Sequence, residues 1–180
     1  MWTNTGRISE DVSGPDFLDW QARSDVFEKM AVSYGGDDSV TIVGDRAVFA
    51  NARYVSADFF AVLGQAVSAG RLLTERDIPA QDAEPTVVVV AHHWAVTHFG
   101  SDAAAIGKSI TVYGSAMEII GVAAPGFRYP GAADLWAPWL TSSGGTNRGL
   151  HNYQAVGRLK SGVDVARAQA QMRTLSLIHI

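Results

Sequence analysis

The sequence predicts an α+β fold. Three observations carry it: apolar helical periodicity near both chain ends, a middle rich in short strands and hairpins, and a β-branched run from Thr86 to Val90. The chain has 180 residues, enough for one domain or two small lobes. Residues from about 1 to 66 and from about 139 to 180 carry the clearest helices. Residues 67–138 carry the strand pattern. The expectation is therefore one lobe made from both ends and a second, mostly β lobe inserted into it.

The elements follow in order. A helix is expected from about Pro15 to Met30, where Phe17, Trp20, Phe27 and Met30 recur at helical spacing. Ser13 and Asp16 resemble an N-terminal cap, and Pro15 suits the first turn. Gly35-Gly36-Asp37-Asp38 reads as a loop. Val40–Val43 and Ala47–Val55 read as strands around a tight Gly44-Asp45 turn. Ser56 is a candidate cap for a short helix that Gly64 ends. Thr74–Pro85 reads as a loop.

Thr86–Val90 suits a strand buried on both faces. His93–Phe99 reads as a short helix stopped by Gly100. Ser109–Tyr113 and Ala116–Val122 form a hairpin whose Gly114-Ser115 turn matches type II′, with glycine first. Pro125–Pro138 is irregular and aromatic, and Thr141–Gly149 is a polar loop. Tyr153–Lys160 is a strand, Ser161-Gly162 a turn, and Asp164 the cap of a last helix whose apolar face is Val165, Ala168, Met172 and Leu175. Leu177–Ile180 carries no stop signal.

Composition narrows the function classes. Hydrophobic residues make up 47% and charged residues 18%, with a net charge of −4. No basic cluster exists for nucleic acid to meet. The sequence has no cysteine, which excludes a disulfide framework, a cysteine zinc site and a thiol nucleophile. The longest apolar run is Val87–Ala91, far short of the roughly 20 residues that span a bilayer. The N-terminus lacks the layout of a signal peptide. The segment is expected to be soluble and without an address, any membrane spans lying outside it.

No catalytic or metal constellation emerges. His92, His93 and His98 lack the i, i+4 spacing of a metal-binding helix, and their segment has no acid. Asp37-Asp38 and Asp77/Asp82 lack the closing glutamate of a calcium loop. There is no GxSxG elbow and no P-loop, and Gly121–Gly126 is a turn. The expectation is no catalytic residue, no cofactor, no metal and no enzyme activity. Phe127, Tyr129, Trp136 and Trp139 form the candidate partner or substrate surface, since they sit in an irregular segment of the kind that often carries function. The competing reading is that these rings plug the junction between lobes.

The segment order resembles the MacB-like periplasmic core domain of MacB/FtsX-type ABC-transporter permeases. The matching pieces are PDFLDWQARSDVFEKMA (Pro15–Ala31), ARYVSADFFAVLGQAVSAGRLLTERD (Ala52–Asp77) and TVVVVAHHWAVTHFG (Thr86–Gly100). They continue with IGKSITVYGSAMEIIGVAAPGFRYPGAADLWAPW (Ile106–Trp139) and YQAVGRLKSGVDVARAQAQM (Tyr153–Met172). The resemblance covers about Pro15 to Met172. It implies a porter-like α/β lobe from both chain ends, with the β lobe inserted. It implies a place between the first and second membrane helices, on the extracytoplasmic face of the bacterial cytoplasmic membrane. It implies a non-catalytic role in coupling ATP-driven motion to export or release of a substrate. The implied partners are a second permease copy, an ATPase reached through the membrane helices, and an adaptor protein. The Leu177–Ile180 tail matches no feature of the family. Two other readings stand beside this one: a binding module for a lipid, lipoprotein or peptide, which an apolar groove holding the four rings would favour, and a hydrolase, which a His–carboxylate–hydroxyl cluster in a cleft would favour.

Overall fold

A computed structural model describes residues 11–81, 83–139 and 147–177. In chain order the elements are α1 (Gly14–Arg23), β1 (Phe27–Val43), β2 (Arg46–Val55), α2 (Phe59–Leu63), β3 (Val67–Gly70), a 3-10 turn (Glu75–Asp77) and β4 (Val87–Val90). They continue with α3 (His92–Phe99), α4 (Asp102–Ala105), β5 (Ser109–Val112), β6 (Ser115–Ala123), β7 (Leu135–Pro138), β8 (Tyr153–Leu159) and α5 (Val165–Leu177).

The strands form one sheet in the order β2-β7-β4-β6-β5-β1-β8, with β3 added on β6. β1 also pairs with β2. Six strands therefore close into a ring, β2-β7-β4-β6-β5-β1 and back to β2. Closure removes the unpaired edges that an open sheet exposes. Alternation explains the filling. Thr41 and Val43 on β1, Ala50 and Ala52 on β2, Ile110 and Val112 on β5, and Met117 and Ile119 on β6 are all buried, as period-two strands around one interior require. α2 adds Phe59, Phe60 and Val62, and α3 adds Trp94 and Ala95.

β1 is longer than the barrel needs. Its far half, Phe27–Tyr34, pairs antiparallel with β8. There α1 and α5 form a second cluster with Phe17, Met30, Val32, Tyr153, Met172 and Leu175. An isolated bridge, Val12 to Tyr153, ties the segment before α1 to β8. The two side-chain clusters share β1.

Several expectations change. The first helix ends at Arg23, because Phe27 and Met30 lie on β1. A register shift between Phe27 and Lys29 interrupts strand alternation, so two buried residues sit three apart and imitate helical spacing. Gly35–Asp38 is part of β1, at a register shift. The Ser56 hydroxyl does not cap α2. It accepts from the Val32 amide at 3.1 Å, and Asp58 precedes the helix instead. The β5–β6 turn is type I′. Val112 pairs with Ser115, so the central residues are Tyr113 and Gly114, both at positive φ, 50° and 87°. β3 and α4 lie in stretches with no predicted element, and β7 lies in the segment expected to be irregular. Val165 is 45% exposed and stands off the α5 core face.

The division at 66/67 and 138/139 is not the one the side chains make. Val43, Ala50, Ala52, Val55, Phe59, Phe60 and Val62 pack with the middle of the chain, because β1 and β2 are needed to close the barrel. The sheet is continuous through both regions. The predicted hairpin at Gly44-Asp45, the stops at Gly64 and Gly100, and the Asp164 cap are present: Gly64 takes φ 66°, and Asp164 accepts from the Arg167 amide at 2.8 Å. Thr141–Thr146 of the polar loop and Ile178–Ile180 of the tail lie outside the described residues.

Candidate functional site

The four candidate rings divide into two groups. Trp136 is fully buried. Its indole N–H donates to the Tyr129 carbonyl at 2.9 Å. It stacks on Phe127 at 5.2 Å and meets Phe60 edge-on at 5.7 Å. Tyr129 stacks on Phe59 at 6.2 Å and is 43% exposed. These rings seal the irregular segment before β7 onto α2. Burial pushes the Tyr129 phenol up.

Trp139 belongs to the other group. It packs against Tyr34 and Tyr54 and donates its indole N–H to the Tyr153 hydroxyl at 2.8 Å. Tyr34 is partly buried on the terminal cluster and Tyr54 on the barrel cluster. Trp139 thus packs where the clusters meet. Tyr54 stacks with Tyr113. Burial, then the neighbouring Tyr113, Glu84 and Tyr34, push the Tyr54 phenol up to about 12. One continuous surface of four rings does not exist, since a residue with no exposed area touches no partner.

The histidines find acids that their own segment lacks. His92 Nδ1 lies 2.9 Å from both Asp102 oxygens. His93 Nε2 lies 2.9 Å from Asp134, which Arg128 also reaches at 3.1 Å. His98 packs on Trp94 at 4.4 Å, and burial, followed by Arg46, lowers its pKa. The Ser68 hydroxyl donates to Asp102 as well. This trio contains the residue types of a hydrolase, but hydroxyl and imidazole both bond the same carboxylate, and no relay from hydroxyl to imidazole is formed. Among the described residues no three His, Cys, Asp or Glu side chains are grouped to hold a metal ion. Sequence reasoning missed these pairs because Asp102 and Asp134 come from α4 and from the turn before β7.

A groove opens between α1 and the corner where β2 enters α2. It encloses about 180 Å³. Phe17, Leu18, Met30, Ile78 and Trp139 supply its apolar lining, and Gln21, Ser56, Asp58 and Glu75 its polar part. Of the four candidate rings, Trp139 is the one that lines it. The groove had no sequence signal, because its walls are brought together only by the tertiary fold.

Comparison with solved structures first gives the class of domain. The chain is similar to the periplasmic region of MacB from Actinobacillus actinomycetemcomitans, with 20% identity, a TM-score of 0.73, and coverage of 96% of this chain and 77% of that one. It is also similar to the extracellular domain of the noncanonic ABC-type transporter YknZ from Gram-positive bacteria, with 14% identity, a TM-score of 0.60, and coverage of 97% and 84%. At these identities the likeness is one of fold. No curated protein sequence matches at a significant level. Residues 2–175 match the family model of the MacB-like periplasmic core domain, and the chain belongs to that family. It is a periplasmic domain of a MacB/FtsX-like ABC-transporter permease. No helix among the described residues is long and apolar enough to cross a membrane.

Proposed function

We propose that this domain is a non-catalytic lever: it passes ATP-driven movement of the membrane helices to the outer side, where paired domains export or release a substrate. The observation that supports this best is β1. One 17-residue strand runs from the terminal cluster into the closed barrel. A displacement applied to the α1–β8–α5 end is carried to the barrel through hydrogen-bonded backbone and not through a linker. Lys29 on β1 pairs with Asp58 before α2 at 2.6 Å, a further tie between the two ends.

Such a lever needs two arrangements of the paired domains that ATP binding stabilises differently. It needs no chemistry of its own. The partners in this reading are a second permease copy, the ATPase through the membrane helices, and an adaptor. Phe127, Tyr129 and Trp139 are the candidate rings left with surface to meet them.

The test locks the two ends together. The chain has no native cysteine, so Lys29→Cys and Asp58→Cys, in an intact transporter cleared of any cysteines outside this domain, can be joined by a short thiol crosslinker. A rigid lever predicts unchanged ATP turnover after crosslinking. Loss of turnover on crosslinking, restored by a cleavable linker, would show that the two ends must move apart.

A further inference from the structure

We infer that the groove between α1 and the β2–α2 corner is a docking site for a partner peptide that presents one apolar side chain beside a lysine or arginine. The inference concerns binding and does not depend on the lever.

Size comes first. The groove holds about 180 Å³, close to an engineered apolar cavity of about 150 Å³ that accepts benzene. It therefore takes a side chain of leucine or phenylalanine size, not a folded element. Leu18 on its wall is 39% exposed, so apolar surface is already waiting for a partner there.

Charge selects the neighbour of that side chain. Asp58 and Glu75 stand on the groove. Lys29 lies 2.6 Å from Asp58, and its ammonium feels Asp58, Glu28 and Glu75, all of which favour its charged form. The two carboxylates on the groove face this one ammonium, which leaves a net charge of −1 at the mouth. Glu75 has no ion-pair partner among the described residues. A cationic side chain entering beside the apolar anchor meets attraction, and an anionic one meets repulsion.

The same facts weigh against other occupants. An acyl chain needs a longer channel, and anionic headgroups would be repelled. A second copy of this chain carries the same net charge of −4. A peptide anchor with a basic neighbour fits both the size and the sign.

The experiment uses the 180-residue chain, labelled with nitrogen-15, and three synthetic peptides: acetyl-Arg-Leu-Arg-amide, acetyl-Arg-Ala-Arg-amide and acetyl-Glu-Leu-Glu-amide. The first is expected to shift the amides of Leu18, Gln21, Ala57 and Asp58 in a saturable way. Replacing its leucine by alanine should weaken binding at least about tenfold, from the apolar area lost. Glu75→Lys should weaken it about three- to tenfold, and Glu75→Gln by less, as expected for a partly screened charge. Equal binding of the acidic peptide would overturn the proposal. So would shifts confined to another face, no saturable shift at millimolar peptide, or the same shifts produced by neutral phosphatidylcholine vesicles. Concentration-dependent shifts at these amides without peptide would overturn it too, by identifying a second copy as the occupant.

Discussion

Gly121→Ala puts a methyl group where the backbone of another strand already lies. A Cβ at Gly121 would sit 1.9 Å from the Arg71 carbonyl oxygen and 2.8 Å from its carbon. The partner strand is equally tight: Gly70 takes φ +69°, and its Cβ would lie 2.2 Å from the Ile120 oxygen. Two glycines paired across β3 and β6 let the backbones approach this closely. The clash is with main chain, so no side-chain rotation relieves it. Either the strands shift together, at the usual overpacking cost of about 1–3 kcal/mol, or β3 leaves the sheet. Leaving forfeits the 2.9 Å bond from the Arg71 amide to the Ile120 carbonyl, worth about 1 kcal/mol. It also uncovers Leu73, now 5% exposed, at about 2 kcal/mol. The cheaper route sets the cost, which is therefore at most about 3 kcal/mol. For a chain of this size that ceiling is a fall in Tm of roughly 6–12 °C. Urea and thermal unfolding measure it. The control is Gly44→Ala, at φ +62° with nothing within 4 Å of the added methyl, where only the left-handed backbone costs, about 1–2 kcal/mol. If Gly121→Ala costs no more than Gly44→Ala, the close approach of β3 and β6 is wrong.

Trp139→Phe leaves the hydroxyl of Tyr153, a residue only 2% exposed, without its indole donor. It should cost about 1–2 kcal/mol in urea unfolding and push the Tyr153 phenol further up, because that hydrogen bond is what opposes the rise caused by burial. An unchanged phenolate titration would contradict the assignment. Asp77 is held down to about 2 from its ordinary 3.8, first by the Arg71 guanidinium and then by the Thr74 amide and hydroxyl. A carboxylate lowered on folding stabilises above its unfolded value and loses that contribution as pH falls through the folded one. Stability should therefore drop between about pH 4 and pH 2, and Arg71→Gln should flatten that slope; equal slopes for the two proteins would refute the clamp. The isolated chain should sediment as a monomer or only a weak dimer at micromolar concentration, since dimerisation enforced by tethering is lost when the tether is absent. A stable dimer burying well over about 1,000 Å² would show that the domain carries its own pairing face.

What the sequence revealed and hid follows from the range of each interaction. Gly44-Asp45, Gly64, Gly100 and Asp164 were legible because turn and cap chemistry is local. The β-branched run at Val87–Val90 was legible because burial on both faces leaves one composition. Phe27 and Met30 misled because a register shift in a strand produced helical spacing. The barrel was invisible because the β2–β7 pairing joins residues some 80 positions apart in the chain, and no local pattern announces a parallel partner. The four rings were marked as a candidate partner surface from their irregular, aromatic segment, whereas the burial of Trp136 and the separation of Trp139 are tertiary facts. The groove depends on Phe17, Asp58, Ile78 and Trp139 meeting, and nothing in their sequence spacing predicts it.

The lever is tested most directly by distances in the intact, reconstituted transporter. Spin labels on Lys108→Cys, exposed beside β5, report the separation of the two copies. A pair on Lys108→Cys and Arg167→Cys, the latter exposed on α5, reports the interior of one domain when only one copy is labelled. Trapping the ATP-bound and nucleotide-free states should move the inter-copy distance by several ångströms while the intradomain distance stays fixed. An inter-copy distance that ignores nucleotide, or an intradomain distance that changes as much as the inter-copy one, would contradict the rigid lever.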